Sequence, residues 1–206
     1  MHMGSAFQKM FDILFPPSQD ELLVRTLSAH DMPTLLKPRT KDSVTILSHF
    51  QNEYISALIH EAKFHNNIHA IKLLSVILNT YLETNIIDRK SILIPIPLSK
   101  IRQRERGYNQ VTEVAKKIAR NRNLEMNEKI LKRIHHTTPQ TELSRKERLQ
   151  NVIGVFEIDD RNSLSLKNGQ LILIDDVVTT GATLEAARTA LLKAYPVRVV
   201  CVALAG

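Results

Sequence analysis

Four apolar residues run into two aspartates, then into threonines around one glycine, then into a helical pattern: "LILIDDVVTTGATLEAA", Leu171 to Ala187. No other stretch constrains the fold as much. A short all-apolar run reads as a strand covered on both faces, the mark of a parallel sheet. In open α/β sheets, ligands sit outside the carboxyl ends of the strands. Asp175 and Asp176 therefore stand where a ligand is expected. Thr179, Thr180, Gly181, Ala182 and Thr183 then lead into a helix with apolar positions Leu184, Ala187, Leu191 and Ala194. The first turn of a helix has free N–H groups and a partial positive charge, which together hold a phosphate. Gly181 permits close backbone approach and a positive φ, and threonine hydroxyls add donors to the same oxygens.

Two carboxylates beside a phosphate repel it unless something separates them or offsets their charge. Vicinal ribose hydroxyls donating to the carboxylates supply the separation, and a hydrated Mg2+ supplies the offset. A phosphate at one end and a diol at the other describe a ribose 5-phosphate. Taken singly, each of these residues is more often a turn or helix cap. Together, the six identities in D-D-x-x-T-T-G-x-T arise by chance in fewer than about one chain in 10^5, at roughly 5% usage each. The loop has no lysine and the chain no GxxxxGK(S/T), which argues against a nucleoside-triphosphate P-loop. The lack of GxGxxG weakens a dinucleotide reading.

Around this motif the pattern is α/β. "SILIPIPL" reads as a buried strand ending at Pro95 or Pro97, and "YNQVTEVAKKIAR" as a helix with Val111, Val114, Ala115, Ile118 and Ala119 on one face. "KILKRI", "GVFEI", "QLILI" and "VRVVCVALA" read as strands, and residues 135–150 as a polar loop or short helix. The order predicts a mainly parallel twisted sheet over residues 91–206. Residues 1–90 are expected to form a helical N-terminal cap, and "MHMGS" reads as a cloning remnant. Within the cap, "SQDE" at Ser18 to Glu21 has the spacing of a capping box. "HNN" at 65–67 reads as a break between two helices.

The segment "IPIPLSKIRQRERGYNQ" carries Arg102, Arg104 and Arg106 just beyond a strand end. Three alternating arginines cannot share one helix face, so an extended loop is expected. Guanidinium groups bind phosphate oxygens in a bidentate way, and several suit a pyrophosphate. A solvated basic loop is the plain alternative.

"LILIDDVVTTGATL" resembles the signature of the type I phosphoribosyltransferase fold. That resemblance implies that the acidic pair meets the ribose hydroxyls and that the TTGAT loop binds the 5′-phosphate of phosphoribosyl pyrophosphate (PRPP). Pro95-x-Pro97, the arginines and "RGYNQ" with Asn109 and Gln110 are similar to the ComF family of that fold. "TTPQTELSRKERLQNVIGVF" extends the similarity through Gln140, Leu143, Arg148, Asn151, Gly154 and Phe156. The resemblance is specific over 91–204 and looser over 50–90. It implies an association with DNA uptake in competent bacteria. Many ComF-like proteins begin with a four-cysteine zinc module, whereas no cysteine precedes Cys201 here, and helices within residues 7–40 are expected in its place.

Two functions follow as expectations. In the first, PRPP with Mg2+ binds at Asp175, Asp176 and Thr179–Thr183, and the arginines hold pyrophosphate. A nucleophile then displaces the pyrophosphate at ribose C1. Arg145, Lys146 and Arg148 belong to a loop that closes over the site, and no metal is held by direct protein ligation. In the second, the same cradle holds single-stranded DNA or a nucleotide without turnover. A net charge of +7 and a pI near 9.6 favour an anionic partner in either case. Aromatics at 5% with no Trp make a poor strand-stacking platform, which weighs against DNA.

The lone cysteine excludes an internal disulfide. No run approaches the roughly 20 apolar residues of a membrane span, and no signal peptide is legible, so a cytoplasmic protein is expected. His60, His65 and His69 are expected to be surface histidines without an acidic ligand beside them. His135 and His136 fall in the polar loop. Tyr108 is suited either to stacking on a base or to helix–sheet packing.

Overall fold

The computed structural model describes residues 16–85, 90–134, 154–159 and 169–206, together with residue 12. A six-stranded sheet runs in the order β1 (Arg39–Lys41), β2 (Val44–Ser48), β8 (Arg198–Ala205), β7 (Gln170–Val177), β3 (Ile92–Pro95) and β4 (Glu125–Met126). Every neighbouring pair is parallel apart from β1 and β2.

The apolar strands are buried on both faces, and their residues alternate between two cores. Ile172 and Ile174 of β7 join Leu47, Leu93, Val202 and Leu204 in one. Leu171 and Leu173 join Ile46, Ile94, Cys201 and Ala203 in the other. Each such leucine, isoleucine or valine contributes roughly 1.5–3 kcal/mol on full burial, and a one-residue slip would exchange the two faces. The register is therefore strongly specified.

The first core is covered by α1 (Gln19–Thr26), α3 (Glu53–Phe64), α4 (Ile68–Thr84) and α6 (Gln110–Arg122). The second is covered by α7 (Ala182–Ala194) and by a separate hairpin of β5 (Leu131–Arg133) and β6 (Phe156–Ile158). Short helices α2 (Met32–Leu35) and α5 (Lys100–Arg106) complete the described elements. Local signals set the helix ends. Ser18 Oγ accepts the Glu21 N–H at 3.0 Å. The "HNN" break is formed by Asn66 at φ 49 and by Asn67, whose Oδ1 caps the His69 and Ala70 N–H groups.

Three expectations are corrected. Residues 39–48 are not part of a helical cap: they form β1 and β2, and β2 pairs with β8. Their turn, Asp42 and Ser43, has positive φ at both residues (47° and 66°), the geometry of a tight hairpin without its usual glycine. "KILKRI" and "GVFEI" do form strands, but they pair antiparallel with each other outside the main sheet. The arginine segment is helical. Ser99 caps α5 by accepting the Arg102 N–H, and Gly107 at φ 75 ends it.

From β3 the chain crosses through α6 on one face to β4, and from β7 through α7 on the opposite face to β8. Adjacent parallel strands whose connections depart to opposite sides open a crevice at their carboxyl ends. Among the described residues, no helix is long and apolar enough to cross a membrane.

Candidate functional site

The crevice between β3 and β7 receives the acidic pair. Pleating that sends Leu171 and Leu173 to one core continues to Asp175, and the Ile172–Ile174 face continues to Asp176. The two carboxylates thus leave the strand on opposite sides. Asp175 Oδ1 accepts the Asp176 N–H at 2.9 Å, and Asp176 Oδ1 accepts the Val177 N–H at 2.7 Å. Burial pushes the Asp175 carboxyl well above the usual carboxylate range, and the Asp176 charge adds to this, while Arg133 opposes it.

Asp176 is positioned from two helices. Gln110, only 2% exposed at the start of α6, donates Nε2–H to Asp176 Oδ2 at 2.6 Å. Lys63 of α3 brings Nζ to 3.9 Å from the same oxygen. Gln110 Oε1 is buried with no hydrogen-bond partner among the described residues. Asp175 and Asp176 make an all-oxygen acceptor pair, which fits hydroxyl donors or the waters of a hard cation such as Mg2+.

Of the arginines, Arg106 feels Asp176, and its guanidinium stands 5.1 Å from the Phe64 ring centroid. Its Nη1 is buried without a hydrogen-bond partner among the described residues. Burial and then Arg102 lower the basicity of Arg106, and in the same order that of Arg133 on β5, which also feels Asp175. Arg106 thus lies in the field of Asp176 and Arg133 in that of Asp175, with Arg102 near both arginines. Arg104, about 200° around α5 from Arg102, is exposed.

At the other side of the crevice, Gly181 caps α7 at φ 79, the left-handed conformation anticipated for it. A Cβ there would find only Val44 Cγ2 at 3.9 Å, so the turn's φ, not crowding, asks for glycine. The hydroxyls of Thr179, Thr180 and Thr183 have no hydrogen bond to other described residues, and the first N–H groups of α7 (from Ala182 on) point beyond the helix. Arg145, Lys146, Arg148, His135, His136, Gln140, Leu143 and Asn151 lie outside the described residues.

Sequence reasoning passed over Lys63, Phe64 and Arg133, none of which is near the motif in the chain. Gln110 carried a signal, its place in "RGYNQ", without a role. Asn109 is structural: its Oδ1 caps α6 and its Nδ2 donates to Ile96 O at 2.9 Å, tying α6 to the end of β3. The Tyr108 hydroxyl accepts the Asn66 N–H at 2.7 Å, joining the crevice rim to the α3–α4 corner. A cleft of about 400 Å³ on the β4 side of β3, lined by Pro95, Pro97, Tyr108, Thr112 and Lys116, contains neither aspartate.

Residues 91–206 match the phosphoribosyl transferase domain. Among curated proteins, competence protein F of Haemophilus influenzae is 32% identical over 148 residues, covering 69% of this chain and 63% of that protein. Competence protein ComFC of Bacillus subtilis is 34% identical over 109 residues, 52% of this chain and 40% of that one. DNA utilization protein YhgH of Escherichia coli K12 is 27% identical over 133 residues, 63% and 57%. The chain spans less than two thirds of the length of each of these relatives. A hypoxanthine phosphoribosyltransferase structure from Staphylococcus aureus superposes over 64% of this chain and 60% of that one at 18% identity, with a TM-score of 0.39.

Proposed function

The chain belongs to the phosphoribosyl transferase domain family, in its ComF branch, and on that premise we propose that it binds PRPP with Mg2+ in the crevice between β3 and β7. The first turn of α7 and the hydroxyls of Thr179–Thr183 take the 5′-phosphate. Asp175 and Asp176 accept from the ribose hydroxyls, with Asp176 held in place by Gln110. Arg102 and Arg106 face the pyrophosphate. The bound Mg2+ offsets the charge crowded between pyrophosphate and carboxylates.

One observation carries this reading: the acidic pair and the amino end of α7 meet at a single switch-point crevice, with Arg106 in electrostatic range of Asp176 and Arg102 beside it. Transfer would break the C1–pyrophosphate bond as an acceptor, typically a ring nitrogen, bonds to C1. Such a displacement passes through a sugar with oxocarbenium character. The chain contributes orientation and stabilisation of the departing anion rather than a covalent nucleophile.

A calorimetric titration of PRPP with and without Mg2+, with ribose 5-phosphate as comparison, tests the reading. The expected result is Mg2+-dependent binding of PRPP that is tighter than that of ribose 5-phosphate. Absence of binding by either ligand would remove it. A second reading, single-stranded DNA or nucleotide binding without turnover, draws on the charge of +7 and on the printed roles of the competence and DNA utilization relatives. It predicts anisotropy-detected binding of an oligonucleotide, weakening steeply with salt, that persists in an Asp176→Asn variant.

A further inference from the structure

We propose that His60, Glu61 and His65, at the carboxyl end of α3, bind one late first-row divalent cation, Zn2+ or a close neighbour. One ligand atom from each lies within 4.8 Å of the others. Tetrahedral metal–nitrogen and metal–oxygen bonds of roughly 2.0–2.2 Å place ligand atoms about 3.3–3.6 Å from each other, so side-chain rotations that move them by about an ångström close the set.

The sequence spacing alone would not suggest this. Five residues along a continuous helix set His60 and His65 about 140° apart. Glu61 bridges them: it is adjacent to His60 and one helical turn before His65, whose Nε2 lies 3.9 Å from Glu61 Oε1 at the end of α3. The rings of His60 and His65 meet edge-on with centroids 5.8 Å apart. His69, spaced four residues from His65, instead meets Leu27 O at 3.0 Å.

Glu61 is the unusual member. It is 2% exposed, and among the described residues its ion-pair partner is His65 at 3.9 Å. A buried carboxylate needs compensating charge. Ser18 Oγ donates to Oε1 at 3.2 Å and Asn67 Nδ2 to Oε2 at 3.0 Å. These bonds orient the carboxylate and leave about two of its four lone-pair sites open. His60 is oriented in the same manner: Asp20 Oδ2 lies 2.9 Å from Nδ1. A carboxylate on one ring nitrogen sets the tautomer and raises the basicity of the other, as in many zinc sites.

Two imidazoles with one carboxylate select zinc and its neighbours over magnesium or calcium. They also leave a coordination position open to water or an exogenous ligand. Both histidines are exposed, which supplies the entry path. A bound ion would tie the end of α3 to α1 through Asp20 and Ser18. It would also fix the turn that carries Lys63 and Phe64. The site stands independently of PRPP binding.

The test is Zn2+ uptake by the full chain in competition with a chromophoric chelator, with Co2+ absorption reporting the ligand set. One ion per chain is expected, with affinity lowered about tenfold or more in His60→Gln and in His65→Gln. Both are surface changes, so the metal-free variants should melt with the parent. Uptake should persist in a His135→Gln, His136→Gln double variant. No stoichiometric uptake, or uptake unchanged in both His60→Gln and His65→Gln, would overturn the proposal.

Discussion

Replacing Gln110 by leucine separates stability from ligand binding in a way the structure quantifies. Gln110 makes one strong bond, Nε2–H to Asp176 Oδ2 at 2.6 Å, and leaves Oε1 buried and unpaired among the described residues. A hydrogen bond to a charged group contributes about 1.5–3 kcal/mol, and an unsatisfied buried acceptor costs about 1–3 kcal/mol. Leucine removes both and keeps most of the volume. Urea unfolding should therefore change by no more than about 2 kcal/mol. Asp176 loses the contact that aims it, so PRPP affinity should fall roughly tenfold, a network coupling of about 1.4 kcal/mol. Gln110→Glu would set a third carboxylate against the pair and should abolish binding. An affinity for the leucine variant within about twofold of the parent would refute the role given to Gln110. A stability loss well above about 3 kcal/mol would refute the cancellation.

Asp175→Asn tests the cost of the acidic pair. Burial and Asp176 raise the Asp175 carboxyl in the folded state, so the folded chain holds that proton when the unfolded chain has released it. Stability therefore falls as pH rises past about 4, until the folded group titrates as well. The asparagine variant should melt higher than the parent at pH 7 yet bind PRPP less tightly, and its thermal advantage should vanish below about pH 4. A lower melting point at pH 7 would contradict the argument. For Gly181→Ala, open space around the Cβ position but φ 79 imply a conformational cost of about 1–2 kcal/mol in urea unfolding, with Gly181→Asn milder. Arg106→Ala should weaken PRPP binding about tenfold or more, whereas Arg104→Ala, on the exposed side of α5, should leave calorimetric affinity unchanged.

The site motif was legible because its parts are local. A strand end, an acidic pair, a left-handed glycine and a helix start follow one another in the chain, and each depends on near neighbours. The same holds for the "HNN" break, the Ser18 cap and the α6 face. The arginine segment misled because the Ser99 cap and the Gly107 stop were outweighed by the spacing of the charges. A helix of seven residues can form without presenting all three arginines to one side. The hairpin at 39–48 escaped notice because Asp42 and Ser43, not glycine, take the positive φ angles of its turn. Its place beside β8 depends on strands more than 150 residues away.

Sequence alone determined the α/β class, the strand that carries Asp175 and the glycine-capped start of α7, because period, capping and glycine chemistry act over a few residues. Only the tertiary structure decided what surrounds the carboxylates. Gln110 and Lys63 on Asp176, Arg133 near Asp175 and Arg106 against Phe64 are brought together by packing α3, α5, α6 and the β5–β6 hairpin around the sheet. His60, Glu61 and His65 sit together at the end of α3, and packing against α1 adds Ser18 to Glu61 and Asp20 to His60. Contacts of that kind are set by the burial of apolar faces far apart in the chain, and no local pattern encodes which polar side chains those faces carry into the crevice.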